Sequence, residues 1–261
     1  MQSLTSSQYS LIYEAFSFMI GVMGITVLLL FIIKDAVSQR YQPFIALRVM
    51  IVALSGYDYY RLLDSWTRSF SIDGQTVIST GHIFDDSIRF SDWIITVPLL
   101  LISLVVVLDL PPRQAWSRSL ILGIQAVEMI ALGYPGQTSS DPATRWLWFG
   151  LGMIPFMIII YQLYFAMAQA IEDQPVAVRG LVKWARTVLL VSWSLYPAIY
   201  LLPLVGLRGT SAFVGSQIGY AVADLLAKPI FGVLLLIVAM RKSAMGTLDT
   251  TGTPMLQAGR A

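Results

Sequence analysis

The chain contains no cysteine and a single histidine, His82. The first absence excludes disulfides, thiolate metal sites and a cysteine nucleophile, and the second excludes a multi-histidine metal site. Charge is scarce as well. Charged residues fill 12% of the 261 positions, about half of what a soluble domain carries. The formal net charge is only +2, with no long basic run, so nucleic acid has no electrostatic footprint to bind. The N-terminus lacks a basic stretch followed by an apolar run and a cleavage site, and no cleaved leader is expected. What is abundant is apolar surface: 56% hydrophobic residues and a mean hydropathy of +0.70. That balance fits one bundle that uses lipid as its outer solvent, with lipid bilayer as the first partner.

A helix needs about 20 mostly apolar residues to cross the hydrocarbon. Seven stretches meet that need, at about 10–33, 44–63, 83–108, 119–133, 147–171, 180–205 and 212–240. The connections between them are short and polar. The longest, 65–81, contains Ile72-Asp73-Gly74-Gln75-Thr76-Val77-Ile78, an Asp-Gly turn between β-formers and therefore a hairpin signal. The expected fold is all-α, a seven-transmembrane-helix bundle with a small β-hairpin in the second-to-third helix loop. Residues 1–261 form one domain without internal repeats, and 243–261, rich in small residues, is expected to be a disordered cytoplasmic tail. Lys34, Arg40, Arg48, Arg113, Arg118, Arg179, Lys183, Arg186, Arg241 and Lys242 fall on one side of the spans; Arg61, Arg68, Arg145 and Arg208 fall on the other. The positive-inside rule then puts the N-terminus outside and the C-terminus in the cytoplasm of a multi-pass cell-membrane protein.

Ionisable residues inside spans cost about 2.5–3.5 kcal/mol each at a helix centre and are functional candidates by default. The main ones here are Asp58, Arg89, Asp92, Glu128, Asp224 and Lys228. Lys228 lies too deep in the seventh helix to snorkel. A desolvated amine is a nucleophile that forms a Schiff base with an aldehyde. Asp224, four residues earlier, shares its helix face, and Pro229 strips the carbonyl of Leu225 of its helical partner. A structural Lys–Asp pair is the plainer alternative. In the third helix, Arg89, Asp92, Thr96 and Ser103 fall within one narrow stripe. Asp92 and Ser103 lie about 16 Å apart along it. Such a stripe is either a helix–helix seam or a proton path.

Three motifs carry a resemblance: Arg89-x-x-Asp92-Trp93-x-x-Thr96-x-Pro98, Asp224-x-x-Ala227-Lys228, and Trp193-Ser194-Leu195-Tyr196-Pro197. Together, in this order and on these helices, they resemble the microbial (type 1) rhodopsins, within them the proteorhodopsin and xanthorhodopsin branch, over nearly the whole chain except the tail. The resemblance implies all-trans retinal on Lys228 as a protonated Schiff base, with Asp92 as counterion and first proton acceptor. It implies Asp224 as second counterion and Arg89 beside them towards the outside, with Thr96 hydrogen-bonded to Asp92. Trp93, Trp193, Tyr196, Pro197 and Tyr200 would wall the retinal, and Leu100 stands at the colour-tuning position. Relatives form pentamers or hexamers, so a homo-oligomer is implied. Some bind a carotenoid antenna through a glycine-made opening near Gly150 and Gly152, which Phe149 stands close enough to fill.

The implied function is a light-driven outward proton pump, and two departures shape it. The inner stripe position usually holds a carboxylic acid that returns a proton to the Schiff base, but here it is Ser103, completing an Asp-Thr-Ser motif. A hydroxyl is far too weak an acid for that task, so reprotonation from cytoplasmic water is expected. In the second helix the family's counterion histidine maps onto Gly56, leaving either a water-filled gap beside Asp92 or a glycine for close packing. Asp58, about 200° further round, is expected to pair with Arg61 or a tyrosine rather than Asp92. A photosensory rhodopsin with a slow photocycle is the alternative function, and a retinal-free seven-helix transporter or receptor a more distant one.

Overall fold

The computed structural model describes residues 4–74, 76–207 and 209–251, with the backbone alone at 247–251. Arg208, counted above among the outer charges, Gln75 of the hairpin turn and the tail from 252 onward lie outside the described residues.

Thr5 opens α1 (Ser6–Ile33) with a capping box, its hydroxyl accepting from Gln8 N and its own N–H donating to the Gln8 side chain. Helix α2 (Gln42–Ser69) runs directly into the hairpin β1 (Phe70–Asp73) and β2 (Thr76–Ser79), paired antiparallel from Phe70↔Ser79 to Asp73↔Thr76. Gly74 takes the left-handed conformation the turn requires, at φ 63°. Then follow α3 (Ile88–Leu108), α4 (Pro112–Thr138) and α5 (Pro142–Tyr161). A π turn, Gln162–Ala166, links α5 to the short α6 (Ala168–Glu172). Next come α7 (Val176–Leu201) and α8 (Thr210–Leu225), and a second π turn, Leu226–Ile230, joins α8 to α9 (Phe231–Thr251). The two π turns keep their flanking helices in single rods, so the nine α-helices among the described residues make seven rods.

Successive rods are neighbours from α1 to α5, α7 packs on both α8 and α9, and α1 packs on α8, which closes the ring. Five rods are long and apolar enough to cross a membrane by composition alone. α2 and α7 fall short because they carry Arg48, Asp58, Arg61 and Asp64, and Arg179, Lys183 and Arg186. The distribution of polarity is inverted relative to a protein in water. Ile25, Leu28, Ile32 and Trp184 stand exposed while Arg48, Arg89, Asp92, Asp224 and Lys228 are buried. Lipid is the solvent that accepts such an outside.

Several expectations need correction. α4 is far longer than 119–133, starting at Pro112 and ending at Thr138. Arg113, Gln114 and Arg118 dilute its hydropathy but extend the helix past the hydrocarbon. α3 starts at Ile88 rather than near 83, because Asp85 accepts from the N–H and hydroxyl of Ser87 in a turn just before it. The tail does not begin at 243. α9 continues to Thr251, and Ser243 Oγ accepts from Ser38 N at 2.9 Å, docking that turn on the loop between α1 and α2. Arg48 belongs to neither side: it is fully buried within the bundle.

Candidate functional site

Lys228 sits inside the second π turn, where Pro229 cannot donate to the helical ladder. π turns of this kind concentrate at functional positions. The widened turn aims the lysine at the bundle axis. Its Nζ pairs with Asp92 Oδ2 of α3 and lies 3.1 Å from Asp224 Oδ1, one turn earlier on its own rod. All three residues are at most 4% exposed. With Arg89, also buried, the group holds two positive and two negative charges, the balance that lets ionised side chains stay out of water.

The two carboxylates are held differently. Asp224 Oδ1 accepts from Tyr196 Oη at 2.6 Å and Trp93 Nε1 at 3.3 Å, and Oδ2 accepts from Tyr59 Oη at 2.9 Å. Asp92 has one neutral donor, Ser55 Oγ, on Oδ1 at 2.8 Å, and Oδ2 faces Nζ. Three neutral donors hold the Asp224 carboxylate in place; Asp92 keeps an oxygen whose chief partner is the lysine itself. Arg89 touches neither carboxylate directly among the described contacts. It donates to Gln217 Oε1 at 2.8 Å and reaches Tyr59 Oη at 3.5 Å, so it acts on Asp224 through the tyrosine. Its guanidinium also lies over the rings of Phe16, Tyr59 and Tyr220.

The expected Thr96–Asp92 hydrogen bond runs through the backbone: the Thr96 hydroxyl donates to the carbonyl of Asp92 at 2.9 Å. Of the two readings of Gly56, close packing fits: a Cβ there would stand 3.1 Å from Met23 Cβ on α1. From α2 the hydroxyl of Ser55 donates to Asp92. Asp58 pairs with Arg61 at 2.9 Å, away from Asp92. Ser103 is fully buried and spends its hydroxyl on Leu100 O at 2.7 Å. Glu128 lies on the exposed face of α4, and His82 is exposed in the loop before α3.

Beside the charged group runs an apolar cavity of about 120 Å³ between α3, α4, α5 and α7. Trp93, Trp193, Tyr196, Pro197 and Tyr200 all line it, with Phe90, Val97, Met129, Phe149 and Phe156 among the rest. Leu100 is buried but stands outside that lining. Trp93 and Tyr196 are at once walls of the cavity and donors to Asp224, which ties the lining to the lysine's partner. An elongated apolar aldehyde, its length walled by aromatic rings and its reactive end at a buried amine, fits this arrangement, and retinal is such a molecule. Ser55, Tyr59 and Gln217 are site residues that the ionisable pattern alone did not single out.

The sequence model of bacteriorhodopsin-like proteins matches residues 13–242. Among solved structures, xanthorhodopsin, described as a light-driven ion pump with dual chromophore, superposes with a TM-score of 0.91 at 34% identity, covering 95% of this chain and 99% of its own. Thermophilic rhodopsin gives a TM-score of 0.91 at 35% identity over 94% and 99% of the two chains. The blue-light absorbing proteorhodopsin of Gamma-proteobacterium Hot 75m4 is 26% identical over 86% of this chain and 84% of its own.

Proposed function

Because the chain belongs to the bacteriorhodopsin-like family, we propose that it is a light-driven outward proton pump with retinal on Lys228. Retinal supplies the light absorption and an isomerisation that reorients the proton held on Nζ. Every other part of the cycle falls to the protein's own side chains. In the dark, Nζ holds its proton between Asp92 and Asp224. Asp224 stays ionised because Tyr59, Tyr196 and Trp93 occupy its oxygens. Asp92 Oδ2 is therefore the acceptor. Transfer to it cancels a buried ion pair, and Ser55 keeps the receiving carboxyl oriented through Oδ1.

On the Arg89 side, a cavity of about 310 Å³ is lined by Asp86, Gln137, Arg145, Gln217 and Tyr220 among others. Arg89, hydrogen-bonded to Gln217, stands between it and the acids, which supports release in that direction. On the opposite side the stripe ends at Ser103, and no acidic residue occurs between Asp92 and Ser103 on α3 or between Lys228 and Arg241 on its own rod. The proton therefore returns to Nζ from water at the Arg241 end. The excess of Lys and Arg there supports placing that end in the cytoplasm.

The observation that carries this reading is the unequal tethering of two carboxylates around one buried amine. Illumination of expressing cells in unbuffered salt should acidify the medium, and a protonophore should abolish the signal. Coloured cells that leave the medium unchanged would overturn pumping in favour of a sensory role.

A further inference from the structure

Among the described residues, the half of the bundle on the Ser103 side has no buried acid, but it has a buried basic residue that the pumping cycle leaves unused. Arg48 of α2 is 0% exposed. It lies seven residues before Ser55, two helical turns on nearly the same face, which places it about 10 Å along the axis from the serine that holds Asp92. Its Nη2 donates to the backbone carbonyl of Lys228. Its guanidinium carbon lies 5.6 Å from the Phe231 ring centroid. Nε and Nη1 have no protein partner among the described residues.

The pocket around it is specific. Gly232, one turn beyond Lys228, packs so closely against the guanidinium that any Cβ at 232 would collide with it. Arg48 and Gly232 therefore form a matched pair on facing rods. A buried guanidinium without an anionic partner is costly, and helix packing alone would be served as well by a leucine or methionine.

We propose that Arg48 is a positioning residue for the reactive lysine. It clamps the carbonyl of Lys228 across from α2, fixing the π turn that aims Nζ at Asp92. It also sets a fully buried positive charge near the path of a returning proton on the side closed by Ser103. The second role rests on the proton-pump reading above; the first does not. At about 10 Å and an effective dielectric near 20, one unit charge changes the rate of proton return by about tenfold.

Lys228-Pro229 is the only Lys–Pro pair in the chain. Carbonyl-labelled lysine with nitrogen-labelled proline therefore isolates the Lys228 carbonyl in solid-state NMR, and the measurement can be made on the retinal-free protein in lipid. Arg48→Met and Gly232→Ala should each move that resonance upfield as its hydrogen bond is lost. In the retinal-loaded protein, flash photolysis should show proton return to Nζ about tenfold faster in Arg48→Met and near the parental rate in Arg48→Lys, which keeps the charge. An unmoved carbonyl resonance in both Arg48→Met and Gly232→Ala overturns the clamp, and equal return rates in Arg48→Met and Arg48→Lys overturn the charge. Should Arg48→Met fail to fold, Gly232→Ala decides the clamp, and a return rate in Arg48→Lys far from the parental value overturns the charge. Failure of cells to acidify their medium would defeat the pump reading while the carbonyl resonance still decides the clamp.

Discussion

Replacing Ser103 with aspartate should convert a proton return governed by the medium into one governed by the protein. Ser103 is fully buried, and its hydroxyl is committed to Leu100 O at 2.7 Å. It stands eleven residues, or about 16 Å, along α3 from Asp92. No acidic residue lies between it and Asp92 on α3, so on the proposed function the return step in the parent should be first order in external protons. Its rate should fall about tenfold for each unit of rising pH, or about a thousandfold between pH 6 and pH 9. A small permeant weak acid such as azide should bypass the missing donor and speed it. An aspartate at 103 should flatten this dependence over the range in which the new carboxyl stays protonated. The assay is flash photolysis of purified protein across that pH range, following decay of the deprotonated state. A parent whose decay is already fast and independent of pH would refute the reasoning, because it would require an internal donor that the stripe does not contain.

Other predictions follow from individual contacts. Ser55→Ala should shift the pH midpoint of the visible-band acid titration by about one unit, since it removes a hydrogen bond to a buried carboxylate. Gly56→His should leave that midpoint in place, because position 56 points at Met23. Tyr59→Phe leaves Asp224 Oδ2 without its 2.9 Å donor and should lower the unfolding free energy in a denaturant titration by about 2 kcal/mol. In the loop before α3, burial raises the Asp86 carboxyl above its usual range. Its protonated form is favoured by folding, so its stabilising contribution is full below the unfolded pKa and lost as pH rises through the raised value. Asp86→Asn should therefore raise the melting temperature at pH 7 and leave it little changed at the acid end of the range, read by the loss of visible absorbance on heating.

Much of the site is legible in the sequence because charge is expensive in lipid. Lys228 and Asp224, one turn apart in an otherwise apolar segment, and Asp92 in the third helix stand out without any structure. The neutral partners do not. Ser55, Tyr59 and Gln217 cost little to place anywhere in a helix, and only the rotation of each rod shows where they point. A signal for two of them was present in α2. Arg48, Val52, Ser55, Tyr59, Leu62 and Trp66 are all buried, and they recur at three- and four-residue steps. That face passes through Ser55 and Tyr59 and leaves Gly56 to one side. Motif matching to a histidine put the weight one residue away from the side chain that faces Asp92. Rod ends were misjudged for a related reason: hydropathy marks the hydrocarbon, while backbone hydrogen bonding continues beyond it, as Pro112 and Thr138 show for α4. Arg48 was counted with the loop charges for its sign, and its burial became visible only through Gly232 on the facing rod.

The claim beneath all of this is that one amine, at Lys228, carries the chromophore. The direct measurement is the visible spectrum of Lys228→Ala purified after addition of all-trans retinal, beside the parent treated identically. The parent should develop a stable visible band that survives washing, and the variant should show only the absorption of free retinal. A washed Lys228→Ala protein that keeps the parental band would contradict the account.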